Sequence, residues 1–428
     1  MQDQPTTAAG EWRAHWPLVF SATLGMSLGP STVYALGLFM APLQQAFGWS
    51  RAEVSSGLLI FALIGTPLSP FAGAIVDRWG TRRLVLPGVI LTTFAILAFS
   101  FATPSKLLWW GLWALYTVAT LTVTPVAWTA AVSSVFKVGR GLALAITFCG
   151  IAIASLGGPL ICRWAIDNHG WRAAFVILGL SWGGVVFLTT AFLFRDARAR
   201  RSRSMSKAEQ KASEAGDAAA TAALPGLTFQ ETLRSSVFWK LFVAQTVFIT
   251  LSAGMLIHMI PILIDKGMTS TKAAYVFSAY GIAAIVGKVA AGWLLDRTRG
   301  PLAPALIVAF MCVSWIALLV GGDSVLIATV AVGVLGFSGG ANLACGSYMT
   351  TRYIGLRAYG KVYGLLTSIQ SIATGVGPWV AGAVYDHYHG YGMLLTAAIP
   401  LTLLSALLIA LLGAYPQLQG APAKAASA

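Results

Sequence analysis

The chain has 428 residues, of which 57% are hydrophobic and only 10% charged, with 45 glycines and a formal net charge of +14. Soluble domains carry roughly 25% charged residues, so this surface must face lipid; a cytosolic enzyme, a secreted disulfide module and a disordered chain are excluded. The positive charge raises the question of nucleic acid, and the positions of the basic residues answer it differently.

Apolar runs long enough to cross a bilayer, about 20 residues, recur near 16–40, 52–76, 84–102, 107–134, 139–165, 172–194, 238–264, 272–295, 302–321, 324–350, 359–384 and 391–414. These are continuous runs and not short alternating strands, which points to helices and away from a β-barrel. The first follows a polar tail, exceeds a signal-peptide core and lacks a clear cleavage site, so it is read as a retained helix. The expected fold is an all-α membrane protein of twelve transmembrane helices.

Twelve spans place both termini on one side of the membrane. That side receives 21 of the 28 Lys and Arg residues, among them Arg78, Arg82, Arg83, Lys137, Arg140 and the cluster 195–211; the opposite side receives six, namely Arg51, Lys106, Arg163, Arg172, Lys266 and Lys272. The bias predicts cytoplasmic termini in an inner membrane. Basicity is thus a topology signal and implies no nucleic-acid partner. The stretch 195–236, rich in Arg, Ser, Ala and Lys, reads as a cytoplasmic linker that touches anionic headgroups. Cys149, Cys162, Cys312 and Cys345 show neither metal-ligand spacing nor a disulfide framework, so no metal and no cofactor is expected.

One offset relates the two halves. Gly73, Asp77 and Arg78 recur 219 residues later as Gly292, Asp296 and Arg297. At the same shift Pro42 and Gly48 match Pro261 and Gly267, Gly141 matches Gly360, Gly158-Pro159 matches Gly377-Pro378, and Asp167 matches Asp386. The expected organisation is two pseudo-symmetric six-helix bundles, 1–195 and 237–428, joined by a basic linker at 196–236. Such pairs work by alternating access, with cargo near the midplane between the halves.

The loop Gly73-x-x-x-Asp77-Arg78-x-Gly80-x-Arg82-Arg83 resembles the signature between the second and third helices of the major facilitator superfamily. The resemblance covers all twelve spans and the duplication. It implies that Gly73, Asp77, Arg78, Gly80, Arg82, Arg140, Asp296 and Arg297 form a conformational latch on the cytoplasmic side. Asp77 would then work against Lys137 or Arg140 and the start of the eleventh helix; the other reading of these residues is a solvated turn. The second copy departs from the pattern, with Arg299 where the first has Gly80. Within the superfamily, Tyr34-Ala-Leu-Gly37-Leu-Phe39, Gly48-Trp49-Ser50-Arg51-Ala-Glu53 and the set Phe136, Arg140, Leu142, Ala143 and Gly150 resemble the monocarboxylate-porter and oxalate/formate-antiporter branch.

Ionisable groups inside a bilayer are costly, so each is a site candidate. Lys288 lies well inside the eighth span and His258 in the seventh; Asp and Glu fall at or near span ends. Lys288 is the expected anion site, matching a helix-8 cation, more often Arg, that the resemblance implies. Snorkelling toward the headgroups is its alternative reading. Titratable His258 is the expected proton carrier, together with Lys288, or else a bonding partner for a carbonyl freed by Pro261. Tyr34, Gln245, Tyr280, Asn342 and Gln370 are the polar and aromatic groups expected to complete a substrate pocket. Where the oxalate-type members carry a second cation this chain has Gln370, and Ala284 replaces an Asp of the animal porters. One cation in place of two favours a monoanion. The expected activity is secondary transport of a small organic monocarboxylate with a proton by a monomer. Anion exchange and efflux of amphipathic compounds are the alternatives. A membrane enzyme is disfavoured because the five histidines form no catalytic or metal-binding group.

Overall fold

The computed structural model describes residues 7–194, 226–298, 300–321, 323–355 and 357–416. In chain order the helices are α1 (Ala8–Phe47), α2 (Arg51–Trp79), α3 (Thr81–Ala98), α4 (Lys106–Thr120), α5 (Pro125–Val135), α6 (Arg140–Leu178), α7 (Gly184–Leu193), α8 (Phe229–Arg234), α9 (Ser236–Asp265), α10 (Ser270–Arg297), α11 (Leu302–Gly321), α12 (Val325–Tyr353), α13 (Tyr359–Tyr388) and α14 (Gly392–Ala410). Ten helical stretches among the described residues are long and apolar enough to cross a bilayer. One of them, Arg140–Leu193, turns back at Gly170, whose φ of 81° interrupts α6, and so supplies the fifth and sixth spans. The fourth is α4 and α5 joined through a tight turn at Leu121–Val123. Helix α13, too rich in Gly, Ser, Thr and Tyr to stand out by hydropathy, completes the twelve.

Two six-helix bundles result. In the first α1 lies along α6, and in the second α9 lies along α13. A Cβ added at Gly158 would stand 3.0 Å from the Ser31 carbonyl oxygen, and one at Gly377 would stand 2.2 Å from that of Thr250. Both members of these two contacts are related by the 219-residue offset read from the sequence. The duplication is therefore physical: the same close backbone approach at a glycine is built twice, tight at Gly158 and closed to any larger side chain at Gly377.

Burial follows the solvent. Trp109, Trp113, Trp128 and Trp315 are fully enclosed between helices, whereas Val320 is 83% and Phe192 72% exposed. Apolar side chains on the outer face are what a lipid-facing surface requires.

Residues 8, 194, 226 and 416 lie at one end of the bundles, called here the terminal side, and 48–50, 266–269 and 389–391 at the far side. Helix α1 starts eight residues before the predicted 16–40 span, and Glu11 explains the extension. Its carboxylate, 3% exposed, accepts from the backbone N–H groups of Lys137, Val138 and Gly139 at 2.9–3.1 Å, just ahead of the α6 N-terminus. A carboxylate suits that end of a helix. Glu11→Ala is expected to leave those donors without their carboxylate acceptor and to destabilise the protein, seen as a lower melting temperature in detergent.

The predicted basic linker lies mostly outside the described residues. Its end is more ordered than expected. Leu227 N–H donates to the Ile354 carbonyl at 2.9 Å, and α8 opens on a capping box in which Thr228 and Glu231 satisfy one another's backbone donors. The Thr228 backbone N–H holds the Glu231 carboxyl below the usual carboxylate range.

Contacts between the bundles run along α2 and α13, α6 and α10, and α1 and α9. A Cβ at Gly382 of α13 would fall 2.6 Å from the Ala52 nitrogen of α2. Gly382→Ala is expected to force these two helices apart at the far side and to destabilise the protein, seen as a lower melting temperature in detergent.

Candidate functional site

Between the bundles lies a cavity of two joined compartments. The first, about 450 Å³, is lined by Tyr34, Ser155, Gln245, Phe248, Ser252, Tyr280, Lys288, Asn342, Tyr363, Gln370 and Thr374, among others. The second, about 470 Å³, lies toward the first bundle and is lined mostly by apolar groups that include Pro30, Val33, Leu58, Phe61, Leu256 and Ile257. Tyr34, Ile151, Ala253, Leu256 and Thr374 border both. Tyr34 of α1 and Tyr280 of α10 meet across the bundle interface with ring centroids 6.2 Å apart.

The polar compartment thus collects all six residues singled out from the sequence as a substrate pocket: Lys288, Tyr34, Tyr280, Gln370, Asn342 and Gln245. Lys288 is half-buried, lines the cavity and makes no hydrogen bond or ion pair with any described residue. It is the one charged side chain among the described residues lining either compartment. It sits two helical turns, about 12 Å along the axis, on the terminal side of Tyr280. Asn342 Nδ2 donates to Gln245 Oε1 at 2.9 Å.

His258 lies elsewhere. Fully buried in α9, it borders neither compartment and belongs to a network that ties the bundles together at the far side. Its Nδ1 lies 2.6 Å from the Tyr391 hydroxyl, and its Nε2 lies 2.9 Å from the Pro378 carbonyl and 3.2 Å from Ser55 Oγ. The carbonyl can only accept, so Nε2 carries the proton and Nδ1 accepts from Tyr391. That tautomer is assigned by its partners. The Ile257 carbonyl, which Pro261 frees, faces Gly37 of the first bundle and not His258.

Arg51 is the centre of the same network, although its sequence position marked it only as a topological charge and a signature residue. Its guanidinium donates to both Asp265 carboxylate oxygens at 3.1 and 3.2 Å and to the Tyr391 hydroxyl at 2.7 Å, and stacks on the Tyr385 ring 3.5 Å from its centroid. Asp386 accepts from the backbone N–H groups of Arg51 and Ala52, both at 2.9 Å. A signal for this cluster existed. A cation at a helix N-terminus and carboxylates at helix C-termini each oppose their own helix dipole, and Arg51, Asp265 and Asp386 all do so. Each charge serves a neighbouring helix across the interface. The hydrogen bonds and ion pairs that join the two bundles between described residues gather at this far side.

Of the expected latch, the side chains at Gly73, Asp77, Arg78 and Asp296 lie outside the described residues. Gly80 has a φ of 82° as the residue preceding α3, a backbone shape that favours glycine. Arg82 donates to the Ala191 carbonyl at 2.9 Å within its own bundle, Arg140 is exposed, and the Arg297 guanidinium lies 4.2 Å from the Trp293 ring centroid.

The family model for the major facilitator superfamily matches residues 16–354. Monocarboxylate transporter 13 of Bos taurus is 27% identical over 382 residues, covering 87% of this chain and 83% of that protein. The gallate transporter of Pseudomonas putida is 25% identical over 378 residues, covering 81% and 83%. Among solved structures, a bacterial homologue of the human lysosomal transporter Spinster, in an inward-facing and occupied conformation, superposes with a TM-score of 0.66 at 16% identity and covers 92% of this chain and 93% of that one. Twelve spans in two duplicated bundles around a shared cavity, matched by that family model over most of their length, make this chain a multi-pass membrane transporter belonging to the major facilitator superfamily.

Proposed function

We propose that the protein carries a small organic monocarboxylate, together with a proton, across the inner membrane by alternating access, with both termini cytoplasmic. The observation that carries this reading is Lys288, an unpaired cation facing a cavity between the two bundles. A buried ammonium without a counter-ion is costly, and a carboxylate that enters and leaves is the simplest compensation. A single cation suits a monoanion. Lysine is a point charge and not a bidentate fork, so orientation of the cargo falls to Tyr34, Tyr280, Gln245, Asn342 and Gln370. The relatives named as monocarboxylate and gallate transporters support the same class of cargo.

The far-side network is the gate of this cycle. It joins the bundles on one side while the cavity reaches Tyr363, close to the terminal-side start of α13. His258 is the residue on which a coupling proton acts. A second proton on its ring turns Nδ1 into a donor, so the Tyr391 O–H loses its acceptor and a second positive charge stands near Arg51; protonation and opening of the far side therefore favour each other. The groups facing the ring are Ser55, Tyr391 and the Pro378 carbonyl, with Arg51 and Asp386 close by.

Uptake of a labelled monocarboxylate panel into proteoliposomes, with and without an imposed proton gradient, tests the reading. Accumulation that follows the gradient is expected. Transport confined to cations or to uncharged compounds overturns it.

A further inference from the structure

Two buried atoms in the polar compartment have no partner among the described residues: Gln245 Nε2 and Asn342 Oδ1. Their residues are 3% and 5% exposed, and both line the cavity that holds Lys288. Buried polar groups left unpaired are destabilising, and native proteins keep few of them. The single bond between the two amides makes the remainder independent of how each amide is turned. If both are flipped, so that Gln245 donates to Asn342, one NH2 group and one carbonyl oxygen are still left free.

We propose that this amide pair reads a hydroxyl group on the transported carboxylate. A carboxylate only accepts and an ammonium only donates, whereas a hydroxyl accepts from the NH2 and donates to the carbonyl at once. Lys288 holds the acid end, the amide pair holds the hydroxyl, Phe248, Ile249 and Leu256 of the same compartment pack on the hydrocarbon or ring between them, and the adjoining 470 Å³ apolar compartment takes what extends beyond. The cargo is then a hydroxylated monocarboxylate with an apolar body, and Gln245 and Asn342 are its specificity residues. This inference rests on the monocarboxylate reading of the cavity.

The test is competition binding to the purified transporter in nanodiscs, comparing 3-phenylpropionate with its 2-, 3- and 4-hydroxyphenyl analogues. A site built to bond a hydroxyl rejects the analogue that lacks it, so at least one isomer is expected to bind about tenfold or more tightly than the parent acid. In the double variant Gln245→Met with Asn342→Leu, and in Gln245→Met alone, that ratio is expected to fall toward one. Equal binding of parent and hydroxylated acids by wild type means that water satisfies the pair and overturns the assignment. A preference that persists in a variant that still melts cooperatively overturns it too. Failure of every acid to bind removes the monocarboxylate reading itself, a result distinct from binding without discrimination.

Discussion

Lys288→Gln is expected to reduce the affinity for any transported monocarboxylate by roughly a hundredfold, the effect of losing a charge-assisted hydrogen bond of about 2–3 kcal/mol in a half-buried site. The glutamine is one atom shorter but keeps a hydrogen-bonding group while removing the charge, so thermal stability should hold or rise as the unpaired ammonium disappears. Lys288→Arg retains the charge and should keep a measurable fraction of uptake. Initial rates against substrate concentration in proteoliposomes read both variants beside wild type, and thermal melting in detergent reads their stability. Wild-type kinetics in Lys288→Gln would mean that the amine points at no cargo, and the anion site would have to be sought elsewhere.

The second large effect concerns the far-side gate. Arg51→Gln removes in one step the ion pair with Asp265, the bond to Tyr391 and the stacking on Tyr385. The pair is partly exposed, at 11% and 32% for the two side chains, so its loss falls short of the 3–5 kcal/mol of a fully buried pair. About 1–3 kcal/mol is expected, enough to move the balance between the two access states roughly 5- to 150-fold toward the far-open form. Tyr391→Phe, which deletes only the hydroxyl between Arg51 and His258, should move it less. A cysteine at Thr374, an exposed position bordering both compartments, reports the shift in a Cys149→Ser background. Its reaction with a membrane-impermeant thiol reagent applied from the far side should accelerate in the order wild type, Tyr391→Phe, Arg51→Gln. Unaltered labelling in Arg51→Gln would show that apolar packing of α2 on α13 closes this side without help from the charges.

Much of this molecule is legible before any coordinates, because the bilayer is a severe solvent. It demands long apolar helices, and it makes each charge within them conspicuous; this is why Lys288 and the polar residues Gln245, Asn342 and Gln370 are found by composition alone. The duplication is equally plain, since close backbone contacts favour glycine, and Gly158 and Gly377 keep the offset that relates their partners Ser31 and Thr250. Bonding between elements is invisible in a linear pattern. The sequence marks His258 as titratable and mid-helix, but only packing decides that it faces Tyr391 and Pro378 and not the cavity. It marks Arg51, Asp265 and Asp386 as charges at helix ends, without saying that each end is completed by a different helix from the other bundle. Local periodicity records which face of a helix avoids water; the partner of that face is chosen by how twelve helices fill space together, and that choice alone converges Lys288 and five polar or aromatic side chains from five separate helices on one cavity.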